Sequence, residues 1–269
     1  MAMRKIKICI TGCSGFIGSN LNIYLKQRKE IQIIPFFGNL FDKKEIENFF
    51  AKNKNINQII YLVGGFFGDF EELYRLNVLT VHNLLVEASK RKVKKIIFAS
   101  TGAVYGEPKR LESIESDPIC PNTVYGLTKM MAEEVIRYFA NNYGLDYVIL
   151  RFPNIYGPGQ TKGVIFNFLK DIRERGKITV NGDGKQTRNF LHVTDACLAI
   201  EKSIFYKKSG IFNISNPQNI SILDLIKIFK KRYIFEVVYQ KANNNLQNLS
   251  LNINKAKKEL RFYPKVKEI

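Results

Sequence analysis

The apolar run Ile6–Ile10 leads straight into TGCSGFIGSN, which opens an amphipathic stretch over Ile17–Lys26. Gly12, Gly15 and Gly18 therefore stand in a G-x-x-G-x-x-G spacing between a strand and a helix. Glycine permits positive φ and close approach of the backbone. Such a loop turns backbone N–H groups toward the space before the helix, where the helix dipole favours negative charge. The order strand, glycine loop, helix predicts a pyrophosphate over Gly12–Gly18, with Ser14, Phe16 and Ile17 completing the contact set. The spacing departs from the G-x-G-x-x-G form, and a turn that merely joins a strand to a helix uses the same residues.

Strand-like runs continue at Ile31–Phe36, Gln58–Val63, Lys95–Ala99 and Tyr147–Leu150, separated by helical patterns at Lys43–Ala51, Glu71–Lys90 and Val124–Asn141. Repeated strand–helix units predict a parallel sheet with helices on both faces and right-handed crossovers. Ligands of such a sheet bind beyond the carboxyl ends of its strands. After Leu150 the rhythm breaks. RFPNIYGPGQ is rich in turn formers, a helix is predicted over Val164–Arg175, and NGDGKQ makes a glycine-rich turn. FLHVTDACLAIEKSIF turns helical after its first residues, GIFNIS adds a strand, and a helix-rich tail ends in NINKAKKEL. No internal repeat or low-complexity linker divides the 269 residues, so one compact body with a small C-terminal lobe is expected.

The net charge of +18 raises nucleic acid as a partner. Lysine is spread along the whole chain without a dense basic block, however, and a basic surface equally attracts an anionic small substrate. Nucleic-acid binding is not expected. Cys9, Cys13, Cys120 and Cys197 lack paired zinc-ligand spacing, and two histidines cannot make a His-rich site. Reduced structural thiols and no metal are expected. No apolar run approaches the ~20 residues that span a bilayer. MAMRKIKICITG has too short an apolar run for a signal peptide; it is read as the first strand of a cytoplasmic protein.

Tyr125 and Lys129 form Y-x-x-x-K on a predicted helix, where residues four apart share a face. An unperturbed tyrosine ionises near pH ~10, and an ammonium beside it favours the phenolate. A tyrosine tuned in this way exchanges protons with a hydroxyl near neutrality. The pair is also common on solvated helices. Upstream, IIFASTGAVYG places Thr101 at the end of the fourth strand, able to donate to the same substrate oxygen or to satisfy a backbone group there.

Taken together, the glycine loop, Thr101 and the Tyr–Lys pair resemble the extended short-chain dehydrogenase/reductase superfamily, in its NAD-dependent epimerase/dehydratase branch. NVLTVHNLL, RFPNIYGPGQ, GDGKQTRNFLHVTD and FNISNPQNIS resemble further family segments in the same order, from Ile6 to about Pro264. The resemblance implies an α/β, Rossmann-like doubly wound sheet with a small substrate lobe. It places the dinucleotide domain at 1–153 plus 189–215 and the lobe at 154–188 plus 216–269. It implies NAD as cofactor, with NADP open, and a nucleoside diphosphate sugar as substrate. Tyr125 would be the acid/base, Lys129 would hold the nicotinamide ribose and tune Tyr125, and Thr101 would orient the substrate oxygen. Asn154, Val164, Ile165 and Arg188 would line the substrate site, with Arg188 on a phosphate. A homodimer through the helices at Glu71–Lys90 and Val124–Asn141 is implied as well.

The chain departs from that pattern in several places. The acidic residue that reads the adenosine ribose is absent near Pro35–Phe37, and Asn39 stands where many relatives carry an aspartate. The segment after the second strand is short, as in deoxysugar ketone reductases. Gly102 and Ala103 follow Thr101 where dehydrating relatives carry an Asp-Glu pair, so elimination of water loses its acid and base. The late Arg-x-x-Asp pair that grips the nucleotide is not evident in QKANNNLQN, and the sequence ends at PKVKEI where relatives often add a helix. The function expected is a 4-epimerase working through a 4-keto sugar. A 4-keto-6-deoxy sugar reductase is the alternative, followed by a non-catalytic dinucleotide sensor.

Overall fold

The computed structural model describes residues 5–107, 110–241, 249–266 and 269. Its first body is a six-stranded, all-parallel sheet in the order β2-β1-β3-β4-β5-β9. The strands are β1 (Ile6–Thr11), β2 (Ile31–Phe36), β3 (Gln58–Tyr61), β4 (Lys95–Thr101), β5 (Asp146–Phe152) and β9 (Gly210–Asn213). Alternation along each strand divides the apolar side chains between two cores. Ile8, Ile10, Ile97, Val148 and Leu150 pack under α1 (Phe16–Leu25) and α7 (Val193–Phe205). Cys9, Ile96, Phe98 and Ile149 pack under α2 (Lys43–Lys52), α4 (Thr80–Lys90) and α5 (Val124–Tyr143). Each fully buried Ile, Leu or Phe contributes roughly 1.5–3 kcal/mol, so both faces are covered and the carboxyl edge is left for function. The expected doubly wound sheet is present, and the strand order reverses at β1 and β3, where the glycine loop emerges.

Local chemistry sets the helix ends. Asp42 caps α2 by accepting from the N–H groups of Lys44 (2.8 Å) and Glu45 (3.2 Å). Thr123 caps α5 through the Gly126 N–H (3.1 Å), and Gly144, at φ +64°, ends it. The helix predicted over Glu71–Lys90 is not a uniform α-helix. A short α3 (Phe70–Tyr74) passes through a π-helical turn at Arg75–Leu79 before α4 begins. That turn carries the fully buried Asn77 inward, a common use of π-bulges.

The remaining elements build a small lobe. β6 (Asn154–Tyr156), β8 (Thr187–His192) and β10 (Asn219–Ser221) form one sheet, and β7 (Lys177–Asn181) pairs in parallel with β11 (Glu236–Gln240). With α6 (Val164–Arg175) and α8 (Ile222–Lys230) they enclose a third core around Phe168, Ile178, Phe190, Leu225 and Phe229. The tail returns to the first body. Ile253, Ala256, Leu260 and Phe262 are buried with the α1–α7 core, and the NINKAKKEL segment closes in a π-helical turn at Ala256–Leu260. Residues 242–248, within which the late Arg-x-x-Asp pair was sought, lie outside the described residues. Among the described residues no helix is long and apolar enough to cross a membrane.

Candidate active site

A cleft of about 750 Å3 runs along the carboxyl edge of the main sheet, between the sheet and the lobe. Its floor is the glycine loop. Gly12 has φ +73°, and a β-carbon there would press on the Leu62 backbone at 3.1 Å. A β-carbon at Gly18 would lie 2.1 Å from the Gly12 carbonyl oxygen. The loop therefore folds tightly onto β3 and onto the start of α1 only because both positions are glycine. No side chain caps α1, which leaves its leading N–H groups without a side-chain acceptor at an end that borders the cleft. Gly12, Gly15, Phe16, Ile17 and Gly18 line the cleft. Ser14 is exposed and is not among the lining residues. The end of β2 is apolar as read from sequence: Phe37 is exposed, and the Asn39 N–H donates to Glu45 (2.7 Å).

Above this floor stand Thr101, Tyr125 and Lys129, all lining the same cleft. β4 runs two residues further than its apolar run suggests, and Thr101 is its last residue. The Thr101 hydroxyl oxygen accepts from the Ala103 N–H (3.2 Å), the backbone role anticipated for it, and stands near enough to the Tyr125 phenol to favour its ionised form slightly. Lys129 is buried. Its ammonium donates to the Ala99 carbonyl (2.9 Å) and lies 4.6 Å from the Phe98 ring centroid. Asn77, delivered by the π-helical turn, donates to Thr128 (3.0 Å) and brackets Gly65 with two further hydrogen bonds. It ties the loop after β3 to the helix that carries the Tyr–Lys pair.

The electrostatics of the pair differ from the sequence expectation. The Tyr125 phenol is pushed up, not down: burial penalises the phenolate, and the Thr101 hydroxyl pulls weakly the other way. Lys129 is itself lowered to about 8, because burial penalises its ammonium more than Glu133 supports it. Sequence spacing places a cation on the same helix face as a phenol, but desolvation is the largest influence on each group in the cleft.

The lobe provides the opposite wall. Asn154, Val164, Ile165 and Arg188 all line the cleft, as expected. Asn154 donates to the Asn189 carbonyl (3.2 Å), and Arg188 donates to the Thr187 carbonyl (2.9 Å). Gly163, at φ +103°, precedes α6, whose N-terminus lacks a side-chain cap. Sequence reading missed two groups here. Phe66, from the loop after β3, sets its ring 6.2 Å from that of Tyr125, and Lys162 lies 5.3 Å from the Phe66 ring centroid. The exposed Phe66–Phe67 pair in a glycine-rich loop was the available signal. Among the described lining residues there are three cations, Lys129, Lys162 and Arg188, and no carboxylate.

Comparison with known proteins agrees with this geometry. The model of the NAD-dependent epimerase/dehydratase family matches residues 8–215. A protein of Methanocaldococcus jannaschii provisionally named UDP-glucose 4-epimerase is 31% identical, over 93% of this chain and 90% of its own. A dTDP-D-glucose 4,6-dehydratase of Dictyostelium discoideum is 30% identical over 82% of this chain and 61% of its own. The solved UDP-glucose 4-epimerase of Thermotoga maritima, in complex with UDP-glucose, superposes with a TM-score of 0.91. It is 26% identical, with 97% of this chain and 94% of that one covered. A strand–glycine loop–helix floor, a Thr–Tyr–Lys set above it and a family match over most of the chain lead to one assignment: this protein is an NAD-dependent enzyme of the epimerase/dehydratase family.

Proposed function

We propose that this enzyme inverts carbon 4 of a sugar carried on a nucleoside diphosphate, through a 4-keto intermediate. The observation that carries the reading is the composition of the cleft: Thr101, Tyr125 and Lys129 line it together, with cations along the walls and, among the described lining residues, no carboxylate. Dehydration across carbons 4 and 5 needs a further acid and base, and Gly102 and Ala103 follow Thr101 where they would stand. The relatives named as 4-epimerases support the same choice.

The dinucleotide pyrophosphate would rest on Gly12–Gly18 and the nicotinamide ribose on Lys129. The tight Gly12–Gly18 turn and the uncapped α1 suit such an anion. When bound, NAD supplies the acceptor, and later the donor, of the hydride at carbon 4. Tyr125 would take the proton of the 4-hydroxyl as that carbon is oxidised and return it when the ketone is reduced, which requires its phenol, raised by burial in the ligand-free cleft, to come down when a positively charged nicotinamide lies beside it. Thr101 holds the reacting oxygen against the phenol. Arg188 forks onto the diphosphate, while Asn154 and the backbone at Val164–Ile165 line its path. The sugar turns over between the two half-reactions while the diphosphate stays clamped.

The proposed division has 1–153 plus 189–215 serving the dinucleotide and 154–188 plus 216–269 the sugar nucleotide, except that β8 belongs with the lobe and the tail at Ile253, Ala256, Leu260 and Phe262 packs against the first body. A homodimer through α4 and α5, in the cytoplasm, completes the proposal; Tyr138 and Tyr143 on α5 are exposed for such a contact.

The deciding experiment is cofactor extraction from the purified protein, combined with carbon-13 NMR of UDP-glucose incubated with it. Retained NAD and a 4-epimer formed without added reductant are the expected result. No epimer from UDP-glucose, with NADPH consumed only when a nucleoside diphosphate 4-keto-6-deoxy sugar is supplied, would establish the reductase instead.

A further inference from the structure

One residue below the carboxyl edge of the sheet lies a buried polar row that the mechanism above does not use. The register pairs Ser100 of β4 with Arg151 of β5, and Arg151 with Asn213 of β9. All three side chains are buried, and so is Glu133, one turn beyond Lys129 on α5. Tyr125, Lys129 and Glu133 are thus i, i+4 and i+8 on one helix face. The Glu133 carboxylate is gripped by both ends of the Arg151 guanidinium, Nη2 to Oε2 at 2.6 Å and Nε to Oε1 at 3.1 Å, and accepts from the Ser100 hydroxyl. Arg151 also donates to the Tyr105 phenol (2.9 Å) and stacks 4.8 Å from its ring centroid. Tyr105 in turn donates to Asn213 (2.7 Å), whose own N–H donates to Glu115 (2.8 Å).

A buried ion pair is weak evidence of stability, because apolar replacements of the same shape often do as well. Its position is more informative. Ser100 directly precedes Thr101, and Glu133 follows Lys129 by one turn, so the carboxylate joins the two elements that supply the reactive groups. We propose that Glu133 is a positioning residue for the Tyr125–Lys129 pair. Clamped by Arg151 and Ser100, it locks α5 in phase with the end of β4 and provides the fixed negative charge behind the Lys129 ammonium. This rests on the reading of Tyr125 and Lys129 as acid/base and partner.

The groups facing Lys129 are consistent with that role. β4 offers the Ala99 carbonyl and the Phe98 ring, and the π-helical turn offers the neutral Asn77 amide. On α5 itself the titratable neighbours are Tyr125 and Glu133. Beyond Glu133 stand Arg151, then Tyr105 and Glu115. Glu133 is the group that raises Lys129 against the effect of burial. Without it the lysine loses its proton at lower pH, and the expected consequence is that Tyr125 no longer has a cation one helical turn away.

The test replaces both partners, Glu133→Gln with Arg151→Met, so that no lone charge is left buried. Two readouts are taken on the NAD-loaded protein. One is the phenolate absorbance titration of Tyr125, obtained by difference against the same background carrying Tyr125→Phe. The other is the pH profile of kcat for UDP-glucose. The expected result is a phenolate midpoint moved up, and an alkaline limb of kcat moved down by roughly half a pH unit or more, with KM little changed. A folded double variant with both titrations at wild-type positions would overturn the proposal. Should the double variant fail to fold, Ser100→Ala removes one hydroxyl from the clamp and is expected to move both readouts in the same directions by less. Wild-type titrations there would overturn it equally. A phenolate shift in a protein that turns over no nucleotide sugar would break the functional reading and leave this inference intact.

Discussion

Behind Thr101, Tyr125 and Lys129 lies a continuous row of buried, hydrogen-bonded side chains spanning β4, β5, β9 and α5. The facing wall, with Asn154, Lys162 and Arg188, is carried by short strands and a glycine-punctuated loop over a separate small core. Thr101 and Lys129 are buried, whereas Asn154 and Lys162 are exposed. The contrast follows from what each wall has to do. Proton transfer tolerates little misplacement of its groups, so those groups are set on rigid elements locked from behind. Holding a diphosphate needs cations that reach and adapt, and a nearly independent lobe provides them.

If this division holds, damage to the two walls has different signatures. Tyr125→Phe keeps the ring and removes the proton carrier, so turnover should fall by about 10²–10⁴-fold. KM and the retained NAD should change little. Steady-state kinetics and cofactor extraction check this, and near-normal turnover would remove Tyr125 from the chemistry.

Arg188→Ala should act on the other wall. A hydrogen bond to a charged group contributes about 1.5–3 kcal/mol, which corresponds to a KM raised by roughly ten- to a hundredfold at ~1.4 kcal/mol per decade. Dinucleotide affinity should stay the same, because the glycine loop is a separate floor. Isothermal titration with each ligand separates the two. Weakened NAD binding with intact sugar-nucleotide binding would show that the walls are not independent.

The last effect concerns the buried cation and is read in stability, not in activity. Lys129 falls from 10.5 to about 8 on folding because burial disfavours its charge. The stability it contributes is therefore fully present above pH 10.5 and is lost as pH falls through about 8. Urea midpoints of the ligand-free protein should show the wild type gaining on Lys129→Met between these limits, by up to about 1.4 kcal/mol per pH unit. Parallel curves would mean that the ammonium is better solvated than the catalytic wall implies.

Much of this molecule is legible in its sequence for local reasons. Glycines three apart between an apolar run and an amphipathic one leave few alternatives, because Gly12 needs positive φ and Gly18 has no room for a β-carbon. Short apolar runs and amphipathic stretches located the main strands and helices, and Tyr125 and Lys129 share a helix face by spacing alone. The small strands β6, β10 and β11 carried no such pattern, and the alternation of β7 is confined to KITVN. They are three to five residues long and exist through their pairing partners.

Only the assembled chain decided the rest. The π-helical turn that buries Asn77 is a packing outcome inside an uninterrupted helical sequence. Lys162 meets Phe66 across nearly a hundred residues, and Arg151 meets Glu133 only because β5 and α5 lie on each other. The pKa directions of Tyr125 and Lys129 belong to this class too. Spacing along a helix states which groups are neighbours, but the cost of their charge is set by how much water the surrounding fold removes, and that depends on every element packed around them.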